Sequence, residues 1–446
     1  MRKCMGFLFA IFMAVFGTPL FAMDLSLDEA VSKILAESQD MKKADANIKK
    51  AEASLDVANA NRWFKLEGSA TYMNMVDVKE PFSSSAKITL PPQLGGIVAQ
   101  ALTGSSTPPI TEIEMPDNIF TAGLTFTQPI YTFGKIGNAV DSVRSAIKMS
   151  ETSKELVMRE VRYSAVDLYW TAKMADEIVK LSEQDLKSAQ NARRNLTSAG
   201  RANRGNLVKI ESDIATKEIN LSDAKFNRDT AYRMLKILAG IDTDEEINLT
   251  TDFPKSFADL DAKKLTNTPE WDLLNQQIRM YEKSARSKRA NALPTLAATA
   301  SYNYSSMAHA ADELFDKEGN QSAYWGLALQ MPIFSGGVNR ANATVDAMNA
   351  EAVPQDLDKS KKITTEKYNT AIQQYNHLRG NLATLQNARD LAARAYNFSQ
   401  QRFIAGQTSA IELAEVSSGL YQLDMALLNS KYKILMAAES VKKLGE

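Results

Sequence analysis

The sequence is poor in the residue types that most often carry enzyme chemistry. Its 446 residues include one cysteine, Cys4, and two histidines, His309 and His377. It has no glycine loop that would cradle a phosphate and no cluster with metal-ligand spacing. These absences argue against an enzyme, so we expect no catalytic residue, no cofactor and no metal site.

The charged residues show no excess of either sign. There are 52 lysines and arginines against 53 aspartates and glutamates, and the formal net charge is −1. Proteins that bind nucleic acids usually carry a clear basic excess. The balance therefore argues against nucleic acid as a partner.

Long apolar runs are confined to the N-terminus. The stretch 1–22 has a basic start, an apolar middle and a small residue, Ala22, at its end, which predicts a cleaved secretory signal peptide. Cys4 leaves with this peptide, and Met23 follows the predicted cut, so no cysteine stands there to carry a lipid. No later run approaches the ~18 apolar residues of a membrane-spanning helix.

Proline and glycine are absent from long stretches, which favours long helices. The range 138–198 contains neither, and its apolar residues recur at steps of three and four, as in a coiled-coil seam. A second long helix is predicted from Gly337 to Phe403, although Pro354 is expected to bend or break it. Shorter helices are predicted over 204–239 and 409–441.

Four shorter segments alternate between apolar and polar residues, which predicts strands with one apolar and one polar face. Two structures fit this alternation equally well: a half-buried sheet in a soluble domain, and the wall of a transmembrane β-barrel with a wet lumen. Four strands cannot close a barrel alone, so the membrane alternative requires several copies. The predicted strands cover about 65–76, 119–133, 294–306 and 322–334.

The chain repeats its own pattern where strands give way to helices. Pro129 and Gly134, in the stretch QPIYTFG, are matched by Pro332 and Gly337, in MPIFSGG, at one constant spacing. We expect each proline, which has no N–H, to end strand pairing. We expect each glycine to permit the turn into the helix.

Further matches extend this repeat along the chain. Residues 61–66 are matched by residues 291–296, and Tyr72 by Tyr302, at a second constant spacing. Agreement in order and spacing predicts a duplicated architecture. The predicted divisions are a signal peptide (1–22), a first repeat (23–242), a linker (243–268) and a second repeat (269–446), with a longer loop at 79–118 in the first repeat.

These residues resemble the TolC-like outer-membrane factors, the outer membrane efflux protein family. The resemblance covers nearly the whole chain after the signal peptide. It implies a mixed α/β membrane protein in which long coiled-coil helices form an α-barrel. It also implies a homotrimer whose protomers each give four strands to a twelve-stranded β-barrel. The motifs that carry the resemblance are LSLDEAV at 25–31, NTPE at 267–270, LPTL at 293–296, QPIY at 128–131, MPIF at 331–334 and RFIAG at 402–406.

The resemblance implies a passive outer-membrane channel that is the exit duct of a tripartite efflux pump or a type I secretion system. Its implied partners are two further copies, outer-membrane lipid, a periplasmic adaptor protein and an inner-membrane transporter. The alternative is a secreted coiled-coil scaffold or adaptor-like interaction protein of the periplasm.

The resemblance also assigns roles at two helical tips. A ring of acidic residues that narrows the periplasmic entrance falls on Glu412 and Glu415, which share one helix face. Read locally, Ser409 and Glu412 form a capping box. Phe403 stands where the family often has a tyrosine. The expected adaptor contacts, for which solvated tip charges are the alternative, are Gly200, Arg201, Arg204, Asn206, Arg402, Phe403, Gly406 and Ser409.

Overall fold

The computed structural model describes residues 23–74, 118–198, 204–308, 310–315 and 319–445. The predicted signal peptide with Cys4, residues 79–117 of the predicted long loop, Gly200, Arg201 and His309 lie outside the described residues.

The described residues form seven α-helices and six β-strands. The helices are α1 (Leu27–Glu37), α2 (Gln39–Ala60), α3 (Lys135–Ser198), α4 (Arg204–Ala239), α5 (Pro269–Ala290), α6 (Val338–Ala405) and α7 (Ala410–Gly445). The strands are β1 (Met23–Leu25), β2 (Lys65–Asn74), β3 (Asn118–Tyr131), β4 (Ile247–Leu249), β5 (Thr295–Ala308) and β6 (Asn320–Gln330). From α2 to α4, and again from α5 to α7, the order is helix, strand, strand, long helix, shorter helix.

No helix in the described part of the chain has both the length and the apolar character needed to cross a membrane.

The chain divides into two compact units. The helical unit takes Met1–Glu52, Ser145–Arg279 and Asn349–Glu446, and the sheet unit takes Ala53–Arg144 and Met280–Met348. Each unit therefore draws residues from both predicted repeats.

The core of the helical unit is built around two short strands that pair in parallel, β1 with β4. Tyr169 of α3 is fully buried beneath them. Its hydroxyl donates to the Leu25 carbonyl at 3.2 Å and accepts from the Thr251 N–H at 3.0 Å. Lys173, one turn further along α3, donates to the Leu249 carbonyl at 3.0 Å and lies 2.8 Å from Asp252. These bonds attach the strand pair to the longest helix of the first half of the chain.

The sheet unit holds one antiparallel four-stranded sheet with the order β2-β3-β5-β6. Residues that pair directly across strands lie on the same face of a sheet. One such row is Leu66, Phe126, Ala300 and Trp325. The row one residue further along β2 runs through Glu67, Thr125, Ser301 and Tyr324. The sheet therefore keeps an apolar and a more polar face across all four strands.

The end of β3 differs from the prediction at Pro129. Pairing continues past this residue, because Pro129 is opposite Ala297 and Tyr131 is opposite Leu296, with Ile130 left over as a bulge. The extra residue moves Tyr131 onto the face that carries Leu296. Pro129 therefore does not end the pairing, and Ile130 is not a regular member of the apolar face.

Two places show where helices continue or divide. Pro354 lies inside the 68-residue helix α6, which continues through it, so the expected break does not occur. Before β2 the chain forms two helices, α1 and α2, which are divided at Ser38. The Ser38 hydroxyl accepts from the Met41 N–H at 3.3 Å, which caps the start of α2.

Candidate functional site

The second helical tip, between α6 and α7, is closed by a tight glycine turn. Gly406 has a φ of 76°, a left-handed conformation that favours glycine. The Gln407 N–H donates to the Arg402 carbonyl at 2.8 Å, and the Gly406 N–H donates to the Phe403 carbonyl at 3.0 Å. This pair of bonds is the Schellman arrangement that ends many helices. The turn fixes where α7 starts and so positions its acidic residues.

Glu412 lies in the first turn of α7 and contacts residues of its own tip. The Ser409 hydroxyl accepts from the Glu412 N–H at 3.1 Å, which is one half of the predicted capping box. The Glu412 carboxylate accepts from the Thr408 hydroxyl and lies 3.7 Å from the Arg402 guanidinium. In a capping box the Glu412 side chain would bond to the Ser409 backbone; here it contacts Thr408 and Arg402 instead. Glu415, one turn later, is exposed.

Arg402 is tied to its own tip by three contacts. Besides Glu412, its guanidinium donates to the Gln407 carbonyl at 3.2 Å and lies over the Phe398 ring at 5.8 Å from the centroid. A side chain held in this way is ordered before any partner arrives. Its predicted contact with an adaptor stays a prediction.

Phe403 belongs to an apolar cluster that joins the two helical tips. Its ring is buried, and the cluster takes residues from α3, α4, α6 and α7. The position where the resemblance implies a polar tyrosine is therefore used for packing. The buried members are Leu196, Ile210, Phe403, Ala410 and Leu413.

The first tip supplies fewer described residues. Arg204, which begins α4, is exposed, and Asn206 is half-buried. Behind them, the Arg193 guanidinium lies 3.1 Å from the Glu211 carboxylate and links α3 to α4. Ile210, four residues after Asn206 on α4, belongs to the apolar cluster described above.

A buried ionic cluster that the sequence did not predict lies further along the same helices. The Lys217 ammonium of α4 is 2.6 Å from the Asp185 carboxylate of α3, and the two side chains are only 6% and 10% exposed. The Ser417 hydroxyl of α7 donates to the same carboxylate at 3.1 Å. Asp213 lies 3.8 Å from Lys217. Burial raises the pKa of Asp213, and the Lys217 ammonium opposes the shift. One ionic cluster therefore joins the first hairpin to the second.

The spacing of Asp213 and Lys217 along one helix could have suggested an ion pair. In the sequence, Asp185 is 32 residues from Lys217, and Ser417 is 232 residues from Asp185. Only the tertiary fold brings these residues together, so the buried cluster carried no local signal.

The two predicted strand-to-helix junctions share one backbone conformation. Gly134 and Gly337 have φ values of 81° and 80°. The residues before them are also left-handed, Phe133 at 47° and Gly336 at 60°. The Asn138 side chain donates to the Gly134 carbonyl at 2.8 Å and closes the first turn of α3. Gly134 and Gly337 thus both adopt the left-handed conformation that favours glycine.

Among the described residues, no group of three or more histidine, cysteine, aspartate and glutamate side chains could hold a metal ion.

Three comparisons relate this chain to known proteins. The chain is 19% identical over 431 residues to "Toxin and drug export protein A" of Aggregatibacter actinomycetemcomitans, with 94% of this chain and 85% of the relative covered. The CmeC outer membrane channel of Campylobacter jejuni matches with a TM-score of 0.74 and 19% identity over 94% of this chain and 85% of that one. The outer membrane protein VceC of Vibrio cholerae matches with a TM-score of 0.71 and 17% identity over 94% and 96%.

These structural likenesses establish the fold of the chain. The model of the family described as "Outer membrane efflux protein" matches residues 30–240 and 264–445. The match covers most of the chain and includes both helical tips and all four strands of the larger sheet. The chain therefore belongs to the outer membrane efflux protein family, whose members reside in the outer membrane.

Proposed function

We propose that this protein is a trimeric outer-membrane channel that serves as the exit duct of a tripartite efflux pump or a type I secretion system. It conducts passively the cargo that an inner-membrane transporter and a periplasmic adaptor hand over. The observation that carries this proposal is that the apolar face of the larger sheet is exposed in the single chain. Its exposed residues include Leu66, Leu124, Trp325 and Leu327.

An exposed apolar face needs an apolar environment, and the outer membrane offers one. The sheet has two end strands, β2 and β6, and an open strand edge in lipid leaves its backbone groups without partners at several kcal/mol each. Joining copies edge to edge removes this cost. Three copies of four strands make a twelve-stranded ring, wide enough for a channel.

We extend the proposal to the duplication of the chain. The equal order of elements in α2–α4 and α5–α7 supports two repeats, 23–242 and 269–446, joined at 243–268. In such a chain each strand pair is followed by a helical hairpin. The hairpins of three copies form the periplasmic part of the duct.

The tips supply the proposed entrance. Glu412 and Glu415, repeated around a three-fold axis, form an acidic ring that favours cations. Arg204, Asn206, Arg402 and Ser409 lie at the same end of the hairpins and form the proposed surface for the adaptor. "Toxin and drug export protein A" is named for two kinds of cargo, so both the efflux pump and the secretion system remain within the proposal.

The test is fractionation and native assembly. We expect the protein to be extracted from outer membranes by detergent and to run as a trimer that falls to a monomer on heating. A monomer released by osmotic shock would instead identify a periplasmic scaffold and refute the channel.

A further inference from the structure

Two of the three strand pairs of the sheet, β2–β3 and β5–β6, follow the same register. In the pair β2–β3, Lys65 is opposite Thr127. The sequence repeat carries Lys65 to Thr295 and Thr127 to Gln330, and these two residues are indeed opposite each other in the pair β5–β6. The repeat spacing in the sequence therefore predicts the register of β5–β6 correctly from that of β2–β3.

The remaining pair, β3–β5, joins the first half of the sheet to the second. In this pair Thr127 is opposite Thr299, and Tyr131 is opposite Leu296 after the bulge at Ile130. A ring of copies needs one more join of the same kind, from β6 of one copy to β2 of the next. Since β6 is the repeat equivalent of β3, and β2 of β5, the observed β3–β5 pair is a template for it.

We propose that β6 of one copy pairs antiparallel with β2 of a second copy in the register of β3–β5, with Gln330 opposite Ser69. The inference rests on the proposed function, because it needs copies that meet edge to edge. The same transfer carries the pair Phe126–Ala300 to Leu329–Ala70, and Leu124–Tyr302 to Leu327–Tyr72. The pairs Leu329–Ala70 and Leu327–Tyr72 both keep apolar residues together on one face of the ring.

The C-terminal ends of β6 and β3 differ in how far their apolar side chains are exposed. In the single chain Ile333 and Phe334 are 94% and 89% exposed, whereas their equivalents Ile130 and Tyr131 are 54% and 56% exposed. β3 has β5 beside it, whereas β6 is an edge strand of the sheet that the described residues form.

The template therefore lengthens β6 in the assembled protein. It predicts that pairing continues past Pro332, as it does past Pro129, with Ile333 as the bulge residue. Phe334 then lies opposite Leu66 of the second copy, the equivalent of Tyr131 opposite Leu296. The most exposed apolar residues of this junction become part of a copy-to-copy contact.

Paired cysteines in otherwise intact chains test the register. Cys4 is the only cysteine of the sequence and lies in the predicted signal peptide, so no other thiol competes. The test variant combines Gln330→Cys with Ser69→Cys. Two strands lie between β2 and β6, a separation of about 14 Å, which exceeds the ~7 Å limit of a disulfide. Any disulfide in this variant therefore joins two copies.

Three further variants calibrate the result. Thr127→Cys with Thr299→Cys is the matched reference, because these residues are directly opposite within one chain. Gln330→Cys with Glu67→Cys, and Gln330→Cys with Thr71→Cys, place the thiols two residues off register on the same face. Diagonal neighbours are about 7–8 Å apart, against about 5 Å for opposite residues, so their disulfides form poorly.

Outer membranes that carry each variant are oxidised with copper phenanthroline, heated, and run on non-reducing gels. We expect covalent dimers and trimers for the 330/69 pair in a yield similar to the reference, and at least about fivefold less for the displaced pairs. A displaced pair that cross-links better overturns the register. A third outcome is a heat-labile oligomer in which the reference pair reacts but none of the three inter-copy pairs forms a disulfide. This result overturns the β6–β2 contact and leaves the channel proposal standing. Loss of the oligomer in the unsubstituted protein overturns both.

Discussion

Replacing Lys217 by methionine measures how strongly the buried ionic cluster couples the two hairpins. The change removes the ammonium that lies 2.6 Å from the Asp185 carboxylate and keeps a chain of similar length. Asp185 then retains the Ser417 hydroxyl at 3.1 Å as a donor, but its charge is no longer balanced. Breaking a buried ion pair from one side costs about 3–5 kcal/mol. Because Ser417 remains, we expect the lower end, about 3 kcal/mol.

Hydrogen exchange read by mass spectrometry, on the detergent-solubilised protein, reports this loss locally. A change of about 1.4 kcal/mol is tenfold in an equilibrium constant, so about 3 kcal/mol lowers amide protection around Asp185, Lys217 and Ser417 by roughly 100-fold. Amides of the sheet unit serve as the internal reference and should keep their protection.

The chain offers a matched control on the same two helices. Lys225 of α4 lies 3.2 Å from Glu183 of α3, and both side chains are about half exposed. An exposed pair contributes about 0–1 kcal/mol, so Lys225→Met should change protection by less than about fivefold. The double variant Lys217→Met with Asp185→Leu should recover most of the loss, since the buried Asp185 charge is removed and the remaining carboxylate, Asp213, is partly exposed. Equal losses in Lys217→Met and Lys225→Met, or no recovery in the double variant, would refute the reasoning.

Three further changes have defined outcomes. Gly406→Ala should destabilise the second tip by about 1 kcal/mol because position 406 is left-handed. Gly419→Ala, in open space on α7, should instead stabilise the protein by up to about 1 kcal/mol. Thermal unfolding measures both changes, and melting-temperature shifts of the same sign contradict the explanation. Glu412→Ala combined with Glu415→Ala should raise single-channel conductance and weaken cation preference in planar bilayers, and unchanged selectivity excludes the acidic ring. Burial, aided by the hydrogen bond to a neighbouring aspartate, raises the pKa of Tyr432 to about 12. A raised folded pKa gives stability that is present below about pH 10 and lost as the pH rises through about 12, so Tyr432→Phe should lack this loss in unfolding experiments across that range, and parallel curves refute it.

The long elements could be predicted because their signals are local. The helix expected over 204–239 coincides with α4, since an uninterrupted run of helix-compatible residues needs no distant partner to be recognised. The same holds for the faces of the larger sheet, where the alternation around Leu66 and Phe126 places both residues in one apolar row. Positive φ at Gly134 and Gly337 follows the same logic, because a turn of this kind selects glycine.

Features made by distant residues could not be predicted. The bulge at Ile130 depends on how Pro129 meets Ala297 of another strand. Lys217 and Ser417 both donate to the Asp185 carboxylate, and this meeting depends on the packing of three helices. The local motif showed only that Phe403 stands where the family often has a tyrosine, whereas its burial among residues of the other hairpin is a tertiary property. The roles of Glu412 and Glu415 depend on neighbouring copies and stay predictions.

The parallel pair β1–β4 has a consequence for the order in which the chain folds. The Asn248 side chain donates to the Asp24 carboxylate across 224 residues of sequence, and β1 is synthesised long before β4. Contacts between such distant segments form late, because the closing of a long loop must come first. Until β4 has been synthesised, the backbone groups of β1 lack their strand partner. Unpaired strand edges of this kind can pair with the wrong segment. We therefore expect the Asp24–Asn248 contact to form late in folding, after the first half of the chain has been synthesised.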